Sequence, residues 1–323
     1  MAAQRARLSG GRWHLQHGPI DIVIGADGAA PAVDAAHAAA WCRFETVLDE
    51  LVAELPALRS RVMGPCPVRG RVAQRMWWAC HPHHAQFITP MAAVAGAVAQ
   101  ELIAAYARPG VQRAWVNNGG DIALHLAPDA QVRVGLFADL ARFDPLDGAV
   151  HTDGHFDVHA DQPVRGVATS GWRGRSLSLG MADSVTVLAR TAAEADAAAT
   201  VIANAVNADD ARIVRRPANE VRDDSDLGAI EVVVDVQPLP AAVVRHALQQ
   251  GAQRARELQR AGLIHCAVLV CQQQALRVEA LSVARADARV AAGSQVNVAL
   301  PLRLIPAGDG RREAASLGRS VVA

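Results

Sequence analysis

Across residues 191–207, Asp196, Thr200 and Asn204 recur at i, i+4 and i+8, with Asn207 three residues further on. On a helix that spacing places oxygen-bearing side chains on one face. A carboxylate and a hydroxyl one turn apart are hard donors of the kind Mg²⁺ takes, because that ion keeps several waters and shares phosphate oxygens with its ligand. The same spacing also arises with no ligand: Asp196 as an early-turn carboxylate on the helix dipole, and Thr200 bonded back to its own helix.

Two further stretches could do chemistry. Asn117, Asn118, Gly119 and Gly120 form a hairpin-turn sequence, since Asn and Gly tolerate positive φ. With Asp121 they could instead present bare backbone amides and side-chain amides to a nucleotide or pterin ring. Thr169, Ser170 and Gly171 make a tight polar bend, followed by Arg173 and Arg175. Those guanidinium groups can fork onto a phosphate or carboxylate, or simply face solvent.

Histidines invite a metal reading in two places. His81, His83 and His84 lie close together, but Pro82 breaks any helical spacing between them, and a partly exposed loop is expected. The segment 147–161 (DGAVHTDGHFDVHAD) alternates His and Asp without meeting a ligand-spacing rule, so a solvated loop is expected there too.

The elements that must position these groups can be read from periodicity. Residues 12–28 read as strand, Gly-Pro turn and strand, with Ile20, Ile22 and Ile24 alternating. From 33 to 61, Trp41, Phe44, Val47, Leu48, Leu51, Val52 and Leu55 follow a 3.6-residue period. Residues 64–71 form a Pro- and Gly-rich connector. Thr89-Pro90 opens the next helix with Thr at the N-cap and Pro at the first helical position. One side of that helix is small (Ala92, Ala93, Gly96, Ala97), a surface suited to close packing on a sheet. Strands flank the Asn117–Gly120 turn. A strand over 183–190 leads to a helix whose start is marked by a capping box, Thr191 with Glu194. Residues 208–228 read as a charged surface excursion. A strand to Pro238, an amphipathic helix over 240–261 and a terminal hairpin follow, and beyond about 285 the pattern weakens to frayed ends. Hairpins alternate with helices, so the expected fold is α+β, with antiparallel sheets packed by helices and an internal duplication.

Composition narrows the function. The chain has 323 residues, 51% hydrophobic and 20% charged, with zero formal net charge and no basic stripe. That argues against nucleic acid as a partner. No lysine occurs, which excludes a Walker A lysine and a lysine Schiff base and leaves anion binding to Arg, helix N-termini and backbone. Five cysteines without a C-x-x-C pair fit a reduced, cytoplasmic compartment. No signal-peptide pattern and no membrane-spanning apolar run is expected.

Three segments, AQFITPMAAVAGAVAQ, VNNGGDIALHL and VATSGWRGRSLSLGMADSVTVLARTAAEADAAAT, together resemble the UPF0280 family, which is similar in fold to ApbE, the FAD:protein FMN transferase. The resemblance covers about residues 12–285 and implies an ApbE-like (T-fold-like) domain over 1–285, with 286–323 as a C-terminal extension. It implies that Asn118, Gly119, Gly120 and Asp121 help hold a flavin nucleotide and that Asp196 and Thr200 ligate Mg²⁺. One departure stands out. The transferases carry a His-Ile-Ile-Asp-Pro-like segment before the strand leading to the metal helix, whereas here Trp172–Ala182 contains no histidine.

The expectation is therefore an Mg²⁺-dependent, transferase-like protein acting on a small phosphorylated ligand with a ring system, FAD, FMN or a pterin. The resemblance further implies a place in tetrahydromethanopterin-linked one-carbon metabolism. The ligand would sit between the Asn117–Asp121 turn and the Thr169–Gly171 bend, near Arg173 and Arg175. A non-catalytic flavin- or nucleotide-binding or assembly protein is the alternative, and Mg²⁺-dependent FMN transfer to a protein a second one. A homo-oligomer is compatible with the sequence; which residue is catalytic is not readable from it.

Overall fold

A computed structural model describes residues 2–136, 154–281 and 320–322. Its first half runs β1 (Gln4–Arg7), β2 (Trp13–His17), β3 (Ile20–Gly28), α1 (Ala30–Ala53), α2 (Leu55–Leu58), α3 (Arg71–Cys80), α4 (Val94–Ile103), β4 (Val111–Asn118) and β5 (Asp121–Leu126). After β6 (Gln131–Leu136) and β7 (Gly154–His159), the second half runs β8 (Gly166–Ser170), β9 (Ser184–Ala189), α5 (Ala192–Ala205), β10 (Ile213–Pro217), α6 (Ala218–Val221), β11 (Glu231–Val236), α7 (Ala241–Arg260), β12 (Cys266–Cys271) and β13 (Gln274–Val278). Residues Ser320–Val322 form β14, so part of the expected frayed end is a strand, paired in parallel with β6.

Nine strands make one sheet in the order β1-β2-β3-β4-β5-β8-β9-β12-β13, antiparallel at every step. The internal duplication is visible in that order. A hairpin (β2-β3), helices and a hairpin (β4-β5) are followed by a hairpin (β8-β9), helices and a hairpin (β12-β13). The repeating unit is thus hairpin, helices, hairpin rather than helix then hairpin. The two copies join edge to edge where Ile122 on β5 faces Val167 on β8.

The helices cover one face of this sheet and bury the larger core; β6 and β7 cover Trp115, Ile122, Leu124 and Val167 on the other. The period-2 and period-3.6 patterns are realised: Ile20, Ile22 and Ile24 of β3 are buried, as are Phe44, Val47 and Leu51 of α1. Val52, counted in the same stripe, is exposed.

The stretch before the histidines, to which periodicity assigned no element, is a helix, α3, burying Val72, Met76, Trp77 and Cys80; the connector ends where it begins. The helix expected from Thr89-Pro90 onward needs correction. Residues Pro90–Ala93 form a 3-10 turn, and Ala93 breaks it from α4 with φ −130° and ψ 17°. Thr89 does not cap this turn; its hydroxyl donates to Asp226. The helix packs on β4 and β5 of the sheet, and its small face admits another helix as well. A Cβ on Gly96 would lie 2.3 Å from the Ala192 carbonyl oxygen at the start of α5. Part of the His/Asp-rich segment, residues 147–153, lies outside the described residues, and 154–159 is β7.

Candidate functional site

The start of α5 is fixed by the capping box: Thr191 Oγ1 accepts from the Glu194 amide at 3.3 Å. Two residues on, Asp196 turns toward α4. Its Oδ2 accepts from the Gly96 amide at 2.9 Å, and the Ala95 amide also bonds the carboxylate. The break at Ala93 leaves these first-turn amides without intrahelical acceptors, so a carboxylate there satisfies both the donors and the dipole. Only glycine at 96 lets α5 come this close.

Next to α4, the β4-β5 turn places Gly119 and Gly120 at φ +67° and +111°, values that require glycine. Asn117 Oδ1 accepts from the Gly120 amide at 2.8 Å, and Asn118 Nδ2 donates to the Ala95 carbonyl at 3.1 Å. The side-chain amides thus stabilise the turn and lock it to the α4 N-terminus. Asp121, first residue of β5, accepts from the Thr169 amide on β8 at 3.3 Å. The turn, the bend and the two helices therefore meet around Asp121 and Asp196.

Both side chains are partly exposed, at the edge of the packing of the β4-β5 turn and the two helices. Burial pushes Asp121 well up, opposed by the Thr169 amide and the Arg175 guanidinium. Burial, then the charge of Asp121, raises Asp196 well above the carboxylate range, against the pull of the Gly96 and Ala95 amides. Two acids so placed resist carrying two negative charges at once, and a hard cation between them removes that conflict. Thr200, one turn along, is partly exposed and makes no side-chain hydrogen bond among the described residues. Asn204, on the same helix face, and Asn207, which lies past the end of α5 rather than on that face, are committed elsewhere. Asn204 Oδ1 accepts from the Leu179 amide at 3.0 Å, and Asn207 Nδ2 donates to the Leu179 carbonyl at 3.0 Å.

The two arginines part company. Arg175 leans over the glycine turn, its Nη1 3.2 Å from where a Gly119 Cβ would be, and Nη2 donates to the Pro19 carbonyl at 3.4 Å. Arg173 lies against Asp183, Nε to Oδ1 3.2 Å, with its guanidinium over the Trp172 ring. Trp172 Nε1 donates to the same Asp183 oxygen at 3.2 Å. Thr169 Oγ1 pairs with Thr186 Oγ1 at 2.9 Å, Ser170 ends β8, and Gly171 packs where a Cβ would meet the Asp183 carbonyl at 2.4 Å.

The histidines do not gather. His83 is buried and faces inward; His81 is stacked between Trp77 and His84. No group of three or more His, Cys, Asp or Glu placed to hold a metal occurs among the described residues. Two cavities there lie elsewhere, one lined by Trp13, Trp41 and Tyr106 and one, of about 280 Å³, between α7 and β13. The carboxylate pair is thus marked by its donor chemistry and not by cavity volume. Sequence spacing located Asp196 and Asp121 separately; what it missed was the α4 amide contact and the approach of Asp226, for which no local signal exists.

Residues 5–283 match the family described as AbpE bacteria. A UPF0280 protein of Methanopyrus kandleri is 38% identical over 223 residues, 67% of this chain and 83% of the relative. The chain belongs to the UPF0280 family. Other UPF0280 proteins, such as that of Methanothrix thermoacetophila, match at 38% identity over about half their length (51%) and 40% of this chain. Among solved structures, the ApbE protein of Thermotoga maritima is similar at a TM-score of 0.44 and 12% identity, covering 85% of this chain and 97% of that one.

Among the described residues no helix is long and apolar enough to cross a membrane, and all five cysteines are thiols.

Proposed function

We propose that this UPF0280 protein binds a small phosphorylated ligand with a ring system, a flavin nucleotide or a pterin, between the Asn117–Asp121 turn and the Thr169–Gly171 bend, and acts on it in a transferase-like reaction. The observation that carries this reading is the convergence of Asp121 and Asp196 at the α4 N-terminus, beside a glycine turn overhung by Arg175. One end of that arrangement suits a divalent cation and the other an anion.

The residues fit Mg²⁺: one or two carboxylates, a hydroxyl and no soft donor. Asp196 and Thr200 would hold it, with Asp121 alongside. When bound, it would supply charge compensation for phosphate oxygens. The chain's own groups orient the rest: the positive-φ glycines let a ligand approach the backbone, and Arg175 holds an anionic group by forked hydrogen bonds. We place the protein in the cytoplasm, which suits its five thiols, and its ligand in tetrahydromethanopterin-linked metabolism, on the family resemblance of its motifs.

Isothermal titration of the purified chain with FAD, with and without Mg²⁺, tests the site, and native mass spectrometry tests for a co-purified flavin or pterin. Mg²⁺-dependent binding lost in Asp121→Asn supports it. No bound molecule and no affinity for either ligand class would sink it.

A second reading, a binding or assembly protein without chemistry, is favoured by the segment 172–182. It carries no histidine and is clamped by Asn204 and Asn207, with Gly180 against the Ala203 carbonyl. Turnover of a bound ligand by the purified chain excludes this reading; fluorescent labelling of an acceptor protein by FAD and Mg²⁺ would establish FMN transfer.

A further inference from the structure

The stretch 208–228, read from sequence as a charged surface excursion, contains β10 and α6, and its part 218–228 is tied to both walls of the candidate site. Just past α6, Arg222 donates through Nη2 to the Arg175 carbonyl at 3.0 Å, on the loop whose guanidinium overhangs Gly119. Four residues later Asp226 accepts from the hydroxyl of buried Thr89, which opens the turn into α4. The segment is itself compact: the Asn219 amide donates to the Gly228 carbonyl at 2.8 Å and the Ser225 amide to the Arg222 carbonyl at 3.1 Å. It hangs from the β10-β11 hairpin, through the Ala218 amide on the Ile230 carbonyl at 2.9 Å.

We infer that this segment is a strap over the mouth of the site and that Arg222 is a ligand-binding residue carried on it, adding a second guanidinium beside Arg175 for a diphosphate-bearing ligand. The inference rests on the phosphorylated-ligand reading above. Its chemistry follows from the charge layout. Asp121 and Asp196 make the inner end acidic, so a diphosphate needs cationic donors at the outer end, and a chain without lysine can supply them only as arginine. Arg222 is exposed and spends one donor on a neutral carbonyl, which holds its fork in place and leaves the other N–H groups for an anion. Three of the strap's four acids are engaged elsewhere: Asp226 is bound to Thr89, Asp224 lies 3.7 Å from Arg59 and Glu220 lies 3.5 Å from Arg216.

Titration of the full chain with FAD, riboflavin and inorganic pyrophosphate, each with Mg²⁺, tests this. Arg222→Ala should weaken FAD and pyrophosphate by about tenfold, the loss of one charge-assisted hydrogen bond. Arg222→Lys should recover part of that loss, and riboflavin affinity should not change. Asp226→Asn, which loosens the strap, should speed FAD dissociation in stopped flow. If wild type binds FAD and Arg222→Ala binds it equally well, the strap inference is overturned and the site reading stands. If wild type binds neither FAD nor pyrophosphate, the site reading falls and takes the inference with it. Thermal melts of each variant separate lost binding from lost fold.

Discussion

Asp196 on α5 caps α4 through Gly96, a contact spanning 100 residues of sequence at 2.9 Å. The same carboxylate that we propose offers oxygen to a ligand therefore also holds two helices together. A glycine at 96 is what permits it, since any side chain there would strike the Ala192 carbonyl.

Asp196 variants should separate these two roles. Asp196→Asn keeps an oxygen for the Gly96 amide and should fold with a melting temperature near wild type while losing Mg²⁺-dependent ligand affinity. Asp196→Ala leaves two buried amides without an acceptor and should cost about 1–3 kcal/mol of stability. Removing this side chain altogether is thus not the clean test of metal binding that helical spacing alone suggests. Denaturant unfolding alongside titration checks both; an alanine variant as stable as wild type would refute the capping role.

Gly96→Ala should be strongly destabilising. The new methyl would sit 2.3 Å from the Ala192 oxygen and 2.9 Å from Asp196 Cβ, so α4 and α5 must separate. Overpacking of this kind costs about 1–3 kcal/mol, and here it also pulls the capping carboxylate from its amides. A midpoint shift in urea measures the loss, and the ligand affinity of the folded fraction should fall with it.

Glu101 on α4 is buried and paired with Arg43, Nε to Oε1 at 2.8 Å, and with Arg75. Glu101→Gln leaves Arg75 without its close countercharge, while Arg43 keeps Glu50, Nη1 to Oε1 at 2.6 Å. The expected loss is about 1–3 kcal/mol, that of hydrogen bonds to a charged group removed from one side. Replacing Glu101 and Arg75 together by apolar residues of similar size should recover much of that loss in the same unfolding measurement.

His83 predicts a pH dependence. Burial, helped by the nearby Arg254 charge, lowers its pKa from 6.5 to about 4. Between those values the unfolded chain takes up a proton that the folded chain refuses, so acidification favours unfolding. The contribution is complete above pH 6.5 and is lost as the pH falls toward 4, by about 3 kcal/mol in all. Urea midpoints at pH 7 and 4.5 should therefore differ less in His83→Leu than in wild type; equal slopes would show that His83 is not held neutral.

Much of the architecture was legible from local pattern. The β4-β5 hairpin follows from two glycines at positive φ, which glycine adopts without strain, the α5 start from Thr191 and Glu194, and α7 from its apolar stripe ended by Gly262 at φ +72°. The helix α3 is short, and its buried period of Val72, Met76 and Cys80 runs straight into Pro82, so it leaves only a weak local signal. Thr89 reads as an N-cap by residue type, yet its hydroxyl goes to Asp226, 137 residues away. A local rule ranks partners by proximity in sequence and is blind to a buried acceptor brought in from another element.

Residue order by itself determined the elements, their antiparallel class and which side chains have the oxygen and nitrogen to bind a charged ligand, since propensity, periodicity and donor chemistry are local properties. Only the tertiary structure decided that Asp196 feels the charge of Asp121, that α4 amides feed one of them, and that Arg222 and Asp226 arrive from a distant hairpin. Those relationships depend on the joining of two sheet halves and the packing of α4 on α5, which are set by the whole core at once and leave no trace in any one stretch of sequence.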